Sequence, residues 1–202
     1  MIRLACATGN PGKLREFRLA AGLAPVEIDL LPGFKQIEPC VEDGRTFEDN
    51  AGIKALHYSR HTAGLLFADD SGLEVDALGG APGVYSARFS LLHPPFDGPS
   101  LPVDEANNRL LLARLRGIEN RAARFVCAIA LAEAGKLRGV WRGSVEGVII
   151  DQPRGRGGFG YDPLFYCPQV GCTFGEASEE QKFAVSHRGQ ALRAMIASLG
   201  QL

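Results

Sequence analysis

Asp69 and Asp70 close the apolar run Leu65-Leu66-Phe67-Ala68 in LLFADDSGLEVDAL, residues 65–78. Adjacent carboxylates repel, and an unpaired one is costly to bury, so the pair predicts a metal, a cation or water at the edge of a core. A hard divalent ion held by carboxylates and substrate phosphates, as Mg²⁺ commonly is, would supply that partner. The structural alternative is that Asp69 pins a turn and Asp70 is merely solvated.

Two helix starts carry further chemistry. TGNPGKLREF, residues 8–17, joins a Gly-rich turn, a helix N-terminus and Lys13, a combination that suits phosphate oxygens. It is not a Walker loop, since Ala7 and Leu14 stand where that motif needs Gly and Ser or Thr; the alternative is a capped helix with a surface lysine. In SHRGQAL, residues 186–192, Ser186 caps a helix whose first turn holds His187 and Arg188. Cations there oppose the helix dipole, so an anionic or hydrogen-bond-accepting ligand, or a nearby acid, must offset them. GRGGFG, residues 155–160, matches G-x-G-x-x-G, but Tyr161, Asp162 and Pro163 lead into a strand-like run rather than the helix a dinucleotide site needs. His57 and His61 stand at i, i+4, with Tyr58 where a zinc hydrolase has Glu, so a solvated helix face is expected.

The elements that must position these residues follow from spacing. Residues 2–7 read as a strand; Leu14, Phe17 and Ala20 or Ala21 then give a helix capped by Asn10 and stopped by Gly22. Thr46 and Asp49 form a capping box that opens a helix through about His61. Leu65 to Ala68 reads as a buried strand, which puts both aspartates at its C-terminal end, the edge where α/β sheets bind ligands. GGAPGVYSARF is a loop, and HPPFDGPSLP, residues 93–102, a longer one that looks like a surface insertion, before a helix from about Asp104 to Arg116 stopped by Gly117. RFVCAIALAEA, KLRGVWRGSVEGVIID and the run around PLFYC are strand-like segments in succession, which predicts antiparallel hairpins and a second lobe. A short helix around Ser178 to Val185 and a longer one from Ser186 to Leu199, ended by Gly200, close the chain.

Composition bounds the partner. The chain has 202 residues, a formal charge of −1 and 46% apolar residues. It is long enough for one α/β-sized domain or two small lobes, and charges interrupt every stretch before the ~18 apolar residues of a membrane span. The N-terminus lacks the features of a signal peptide, so the cytoplasm is the expected compartment. Five cysteines without a C-x-x-C pair read as reduced thiols. A balanced charge gives no case for nucleic acid, which leaves a small molecule as the expected partner.

Taken together, TGNPGK, TFEDNA, ADDSGLEVDALGGAPGVYSAR, GGFGYDPLF and SHRGQAL, in this order and spacing, resemble the inosine/xanthosine triphosphate pyrophosphatase family. The resemblance runs from about residue 4 to residue 199. It implies an α/β fold with a mixed sheet and flanking helices, two lobes around a deep central substrate cleft, and a single domain over 1–202. It also implies a homodimer and Mg²⁺-dependent conversion of ITP, dITP and XTP to the monophosphate and pyrophosphate, which cleanses the nucleotide pool.

Carried over by position, Thr8, Gly9, Asn10, Pro11, Gly12 and Lys13 would hold the phosphates. Asp70 would be the proton acceptor and a metal neighbour, and Ser71 would contact substrate. Phe159, Gly160, Tyr161 and Asp162 would line the base pocket, with Phe159 stacking on the base. Lys182, His187 and Arg188 would complete the site, the last two reading the 6-keto edge of the purine. Donors aimed at that edge oppose the 6-amino group of adenine.

Members of the family usually carry Glu-x-x-Gly ahead of the TFEDNA helix, the Glu being a metal ligand. Here the segment reads Val41-Glu42-Asp43-Gly44. Either Glu42 or Asp43 takes that place, or Asp69 and Asp70 hold the metal through substrate oxygens and water. The competing readings are a Maf-type nucleotide pyrophosphatase and a nucleotide-binding sensor without turnover.

Overall fold

The computed structural model describes residues 1–22, 24–92 and 101–201. The expected proline-rich loop therefore lies outside the described residues, except for its last two. The elements in chain order are β1 (Ile2–Cys6), α1 (Pro11–Ala21), β2 (Val26–Leu30), α2 (Phe47–Tyr58), β3 (Leu65–Val75), α3 (Val103–Arg114), β4 (Ala122–Glu133), β5 (Lys136–Ile149), β6 (Phe165–Cys167), β7 (Cys172–Thr173), α4 (Glu179–Val185) and α5 (His187–Ser198). The strands form one seven-stranded mixed sheet in the order β2-β1-β3-β4-β5-β6-β7. β1 runs parallel to both β2 and β3, whereas β6 is antiparallel to β5 and to β7.

Local chemistry accounts for the helix starts. Asn10 accepts from the amides of Gly12 and Lys13, and Pro11 opens α1 where no amide hydrogen is needed. Thr46 and Asp49 bond reciprocally as a capping box at α2, and Ser186 accepts from Gly189 at α5. α1 ends at Gly22, as its spacing predicts.

The chain divides into two compact units. The first comprises Met1–Ser71, Val126–Ser144 and Ser186–Leu202. Its core joins Leu4, Cys6, Phe17, Phe67, Ile129, Leu192 and Met195, with Phe17 meeting Phe67 edge to face at 5.2 Å. The second comprises Gly72–Phe125 and Val145–Val185, around Leu73, Leu111, Phe125, Tyr161, Phe165 and Phe174. All five cysteines are free. Burial pushes the Cys6 and Cys127 thiols up, so they remain protonated packing groups.

Four expectations are corrected. β3 does not stop at Ala68 but continues to Val75. The aspartates therefore sit within a strand, because β3 keeps β4 as a sheet neighbour after β1 has ended. The three strand-like segments do not make a lobe of their own. β4 and β5 join through a two-residue turn at Ala134 and Gly135, both with positive φ, and extend the common sheet outward from β3. The GGAPGVYSARF segment contains 3₁₀ turns, notably Gly83–Arg88, which a glycine- and proline-rich composition disguises as plain loop. Gly200 does not end the last helix but lies in a 3₁₀ turn, Leu199–Gln201, that continues it.

β5 meets α5 closely at Gly143, where an added Cβ would overlap the His187 carbonyl and lie 2.6 Å from the Ala191 nitrogen. Gly143→Ala is therefore expected to destabilise the chain by ~1–3 kcal/mol, the usual result of overpacking. Urea unfolding measures this, and a variant as stable as the wild type would show that α5 can move away from the sheet.

Candidate active site

Successive side chains of a strand point to opposite faces of its sheet. Asp69 and Asp70 follow that rule, so the two carboxylates that the sequence sets side by side reach different helices.

On one face, Lys13 of α1 donates to Asp69 Oδ2 at 2.7 Å, and the Ser71 hydroxyl, two residues along the strand, donates to the same oxygen at 3.1 Å. Ser71 in turn accepts from Arg188 Nη2 at 3.0 Å, and Arg188 Nη1 donates to Glu16 at 2.7 Å. Lys13, Asp69, Ser71, Arg188 and Glu16 thus form one continuous network. Asp69, Glu16, Arg188 and the neighbouring His187 are all buried. Of the two offsets expected for a first-turn cation, the structure supplies the nearby acid for Arg188, namely Glu16.

On the other face, Asn50 and Lys54 of α2 donate to the two oxygens of Asp70, at 3.0 and 3.3 Å. Lys54 also donates to Glu42 at 2.9 Å, so Glu42 and Asp70 converge on one ammonium. The VEDG segment is tied to α2 where the Gly44 amide donates to Asn50 Oδ1 at 2.9 Å. A Cβ on Gly44 would lie 2.6 Å from the Asp49 Cβ, so only glycine permits this approach. Val41 and Asp43 are exposed, and Glu42 is the member of the segment that faces Lys54.

The two environments push the carboxyls apart. Burial alone would raise the Asp69 carboxyl, but Lys13, Arg188 and Lys54 outweigh it and hold the group below the usual carboxylate range. Asp70 is held above that range by burial, which Lys54, Asn50 and Lys13 oppose without cancelling, while the Asp69 charge adds to it. Lys54 is raised despite burial, by Asp70, Asp69 and Glu42.

The amides of Gly12 and Lys13 are already bonded to Asn10 and the Asn10 amide to Thr8. What the Thr8, Gly9, Asn10, Pro11, Gly12, Lys13 segment offers an anion is therefore chiefly the Lys13 ammonium and the positive end of α1.

The second unit holds the other expected residues. Lys182 of α4 donates to the buried Asp162 at 2.6 Å, and the same Asp162 oxygen accepts from the Phe159 amide at 2.8 Å. The Lys182 ammonium lies 5.2 Å from the centre of the Phe159 ring, a cation–π distance. Gly160 donates to Asp104 and accepts from Asn108, which ties the turn to α3. The Tyr161 ring belongs to the core, and its hydroxyl donates to the Ser86 carbonyl at 2.9 Å. No helix follows the GRGGFG glycines, in keeping with their rejection as a dinucleotide loop. His57 is half-buried against the Glu38 carbonyl and the Tyr58 ring, and His61 is exposed.

Lys54 belongs to the site from outside the quoted motifs, and Asn50 and Glu16 lie within TFEDNA and TGNPGKLREF without a residue type that marks them for chemistry. Their signal lies in helix phase: Asn50 and Lys54 stand four apart beside the buried Phe47, Ala51, Ala55 and Tyr58, and Glu16 precedes Phe17. A polar residue on an inward helix face is the informative exception.

A model of the Ham1 family matches residues 4–198. The dITP/XTP pyrophosphatase of Acidobacterium capsulatum is 49% identical over 199 residues, 98% of each chain. That of a Thermus thermophilus strain is 48% identical over 199 residues, 96% of this chain and 90% of the relative. Among solved structures, the Staphylococcus aureus Ham1 protein superposes with a TM-score of 0.81 at 35% identity over 98% of both chains. A HAM1 protein from Coxiella burnetii does so with 0.83 at 34% identity over the full length of both.

The opposite shifts of the two aspartates predict opposite responses to acid. The lowered Asp69 group stabilises the fold above the ordinary carboxylate range, and that contribution is lost as pH falls through its lowered value. The raised Asp70 group favours the fold in acid and loses that contribution as pH rises through its raised value. Asp69→Asn breaks a buried pair and should cost on the order of 3–5 kcal/mol at neutral pH, with the deficit shrinking in acid. Asp70→Asn should match or exceed the wild type at neutral pH, with any advantage vanishing in acid. Thermal melts between about pH 4 and about pH 8 compare them, and responses of the same sign would refute the assigned environments.

Proposed function

This chain belongs to the Ham1 family, and from that premise we propose that it hydrolyses non-standard purine nucleoside triphosphates, ITP, dITP and XTP, with Mg²⁺. It is a nucleoside triphosphate pyrophosphatase, the activity for which relatives at 47–49% identity are named. The observation that carries the mechanism is Asp70: a carboxyl raised by burial, on a strand, oriented by Asn50 and facing Lys54.

In this reading water attacks the α-phosphorus, a new P–O bond forms, and the bond to the departing pyrophosphate breaks in line with it. Asp70, held between Asn50 and Lys54, orients the water and takes its proton. Lys54 and Lys13 stabilise charge on the phosphate oxygens. Asp69 anchors Lys13 and, through Ser71, is linked to Arg188.

Glu42 and Asp70 suit a divalent cation, because both already converge on a single positive charge, that of Lys54. Among the described residues no group of three or more His, Cys, Asp or Glu gathers to hold a metal. Mg²⁺ needs no such group where one or two carboxylates and substrate phosphates complete its coordination. When bound it would neutralise charge on those phosphates. Asp69, on the opposite face, is the less suitable of the three acidic candidates.

For the base, Phe159 offers a stacking surface beside the Asp162–Lys182 pair, and His187 and Arg188 would donate to a 6-keto oxygen. Donors aimed at that position oppose the 6-amino group of adenine, itself a donor, which disfavours ATP. The resemblance supports a homodimer. No helix of the described residues is long and apolar enough to cross a membrane.

Pyrophosphate release from ITP, dITP, XTP, GTP and ATP, with Mg²⁺ and with chelator, tests the reading. Release from the first three alone and only with the metal is expected, with Asp70→Asn lowering kcat by ~10²–10⁴. Near-normal turnover by that variant would remove Asp70 from the role. Lys54→Met is expected to raise KM and lower kcat together. Glu42→Gln should raise the Mg²⁺ concentration needed for half-maximal rate.

A further inference from the structure

Within the second unit, one face of α3 and the chain after it enclose an open depression of about 510 Å³ lined by Arg109, Leu112, Ala113, Arg116, Gly117, Arg121 and Asp151. We propose that this depression is an additional anion-binding site that takes a phosphate oxyanion.

Arg109, Leu112 and Ala113 share one face of α3 and Arg116 follows in the turn after its end at Arg114, so two arginines flank an apolar floor. Arg121 closes the end. Its Nε donates to the Ile118 carbonyl at 3.1 Å and its Nη2 to Asp151 at 2.5 Å, which fixes the plane of the guanidinium. Its Nη1 is enclosed and has no acceptor among the described residues. A charged donor left in that state is unfavourable, and an oxyanion oxygen reaching it from the depression would relieve it.

Three guanidinium groups face a single carboxylate across the depression, and Asp151 is 83% exposed. The pair it makes with Arg121 is therefore easily exchanged for another acceptor. Arg109 pairs with Glu105 on the helix surface, an exposed i, i+4 contact of the same weak kind. Arg116 is exposed and makes no ion pair among the described residues.

Complementing the helix dipole does not explain the set. Arg114 already stands in the last turn of α3, whereas Arg109 lies in mid-helix, where the dipole has faded. Planar guanidinium forks converging on one space are the usual means of recognising phosphate. None of these residues has a part in the hydrolytic mechanism, so this site is separable from turnover.

The test uses the full chain labelled with ¹⁵N, in chelator, titrated separately with inorganic phosphate, pyrophosphate and IMP. Saturable shifts are expected at the amides of Ala113, Arg116, Gly117 and Arg121. Arg116→Glu should weaken that response on the order of tenfold or more, with kcat/KM for dITP unchanged. Arg121→Ala also removes the tie to Ile118 and can disturb the fold, so the exposed Arg116→Glu is the deciding variant. Whichever titrant saturates these amides at the lowest concentration identifies the source, inorganic or nucleotide, and either result supports the site. Shifts confined to Thr8–Lys13, no response at the α3 amides, or a response unchanged in Arg116→Glu would overturn it.

Discussion

The alternation of side chains along β3 is the constraint from which the site follows. Two neighbouring carboxylates on one face would confront each other at close range in a poorly solvated setting, and one would have to take up a proton or acquire a shared cation. Placed on opposite faces they are separated by the strand itself, and each is met by a lysine from a different helix. α1 must deliver Lys13 to one side and α2 must deliver Asn50 and Lys54 to the other. The register of both helices is thus tied to the positions of Asp69 and Asp70.

The two faces serve different ends. The Lys13–Asp69–Ser71–Arg188–Glu16 network runs unbroken from the α1 lysine to the α1 glutamate, and its charges hold Asp69 ionised. Such a network stabilises through completeness, since removing any member strands another charge. The Asp70 side retains a tension between burial and its cation, which keeps that carboxyl above its usual range. Catalytic bases commonly sit in such unresolved environments.

Much of the first unit is legible in the sequence because its signals are local. Asn10, Thr46 and Ser186 cap the helices that their side-chain chemistry marks, and Gly22 stops the helix it follows. The apolar run that ends at Ala68 makes β3 look too short, yet a strand is defined by its neighbours, and β4 continues to pair where hydrophobicity stops. Lys54 and Glu16 are hard to see in the sequence because a charged residue on a helix normally faces water. Only helix phase against a buried carboxylate or guanidinium shows otherwise.

The sequence by itself determined the residue types that could handle phosphates and protons, the helix starts that carry them, and the family resemblance across five blocks. These depend on spacing and on contacts between residues a few positions apart. Only the tertiary structure decided that Asp69 and Asp70 work separately, that Glu42 rather than Val41 or Asp43 faces the lysine beside Asp70, and that Arg188 is bound to Glu16. Those outcomes join residues from 12 to 172 positions apart. No local preference encodes them, because they arise when a sheet and its helices bury apolar surface and each enclosed charge must find its partner.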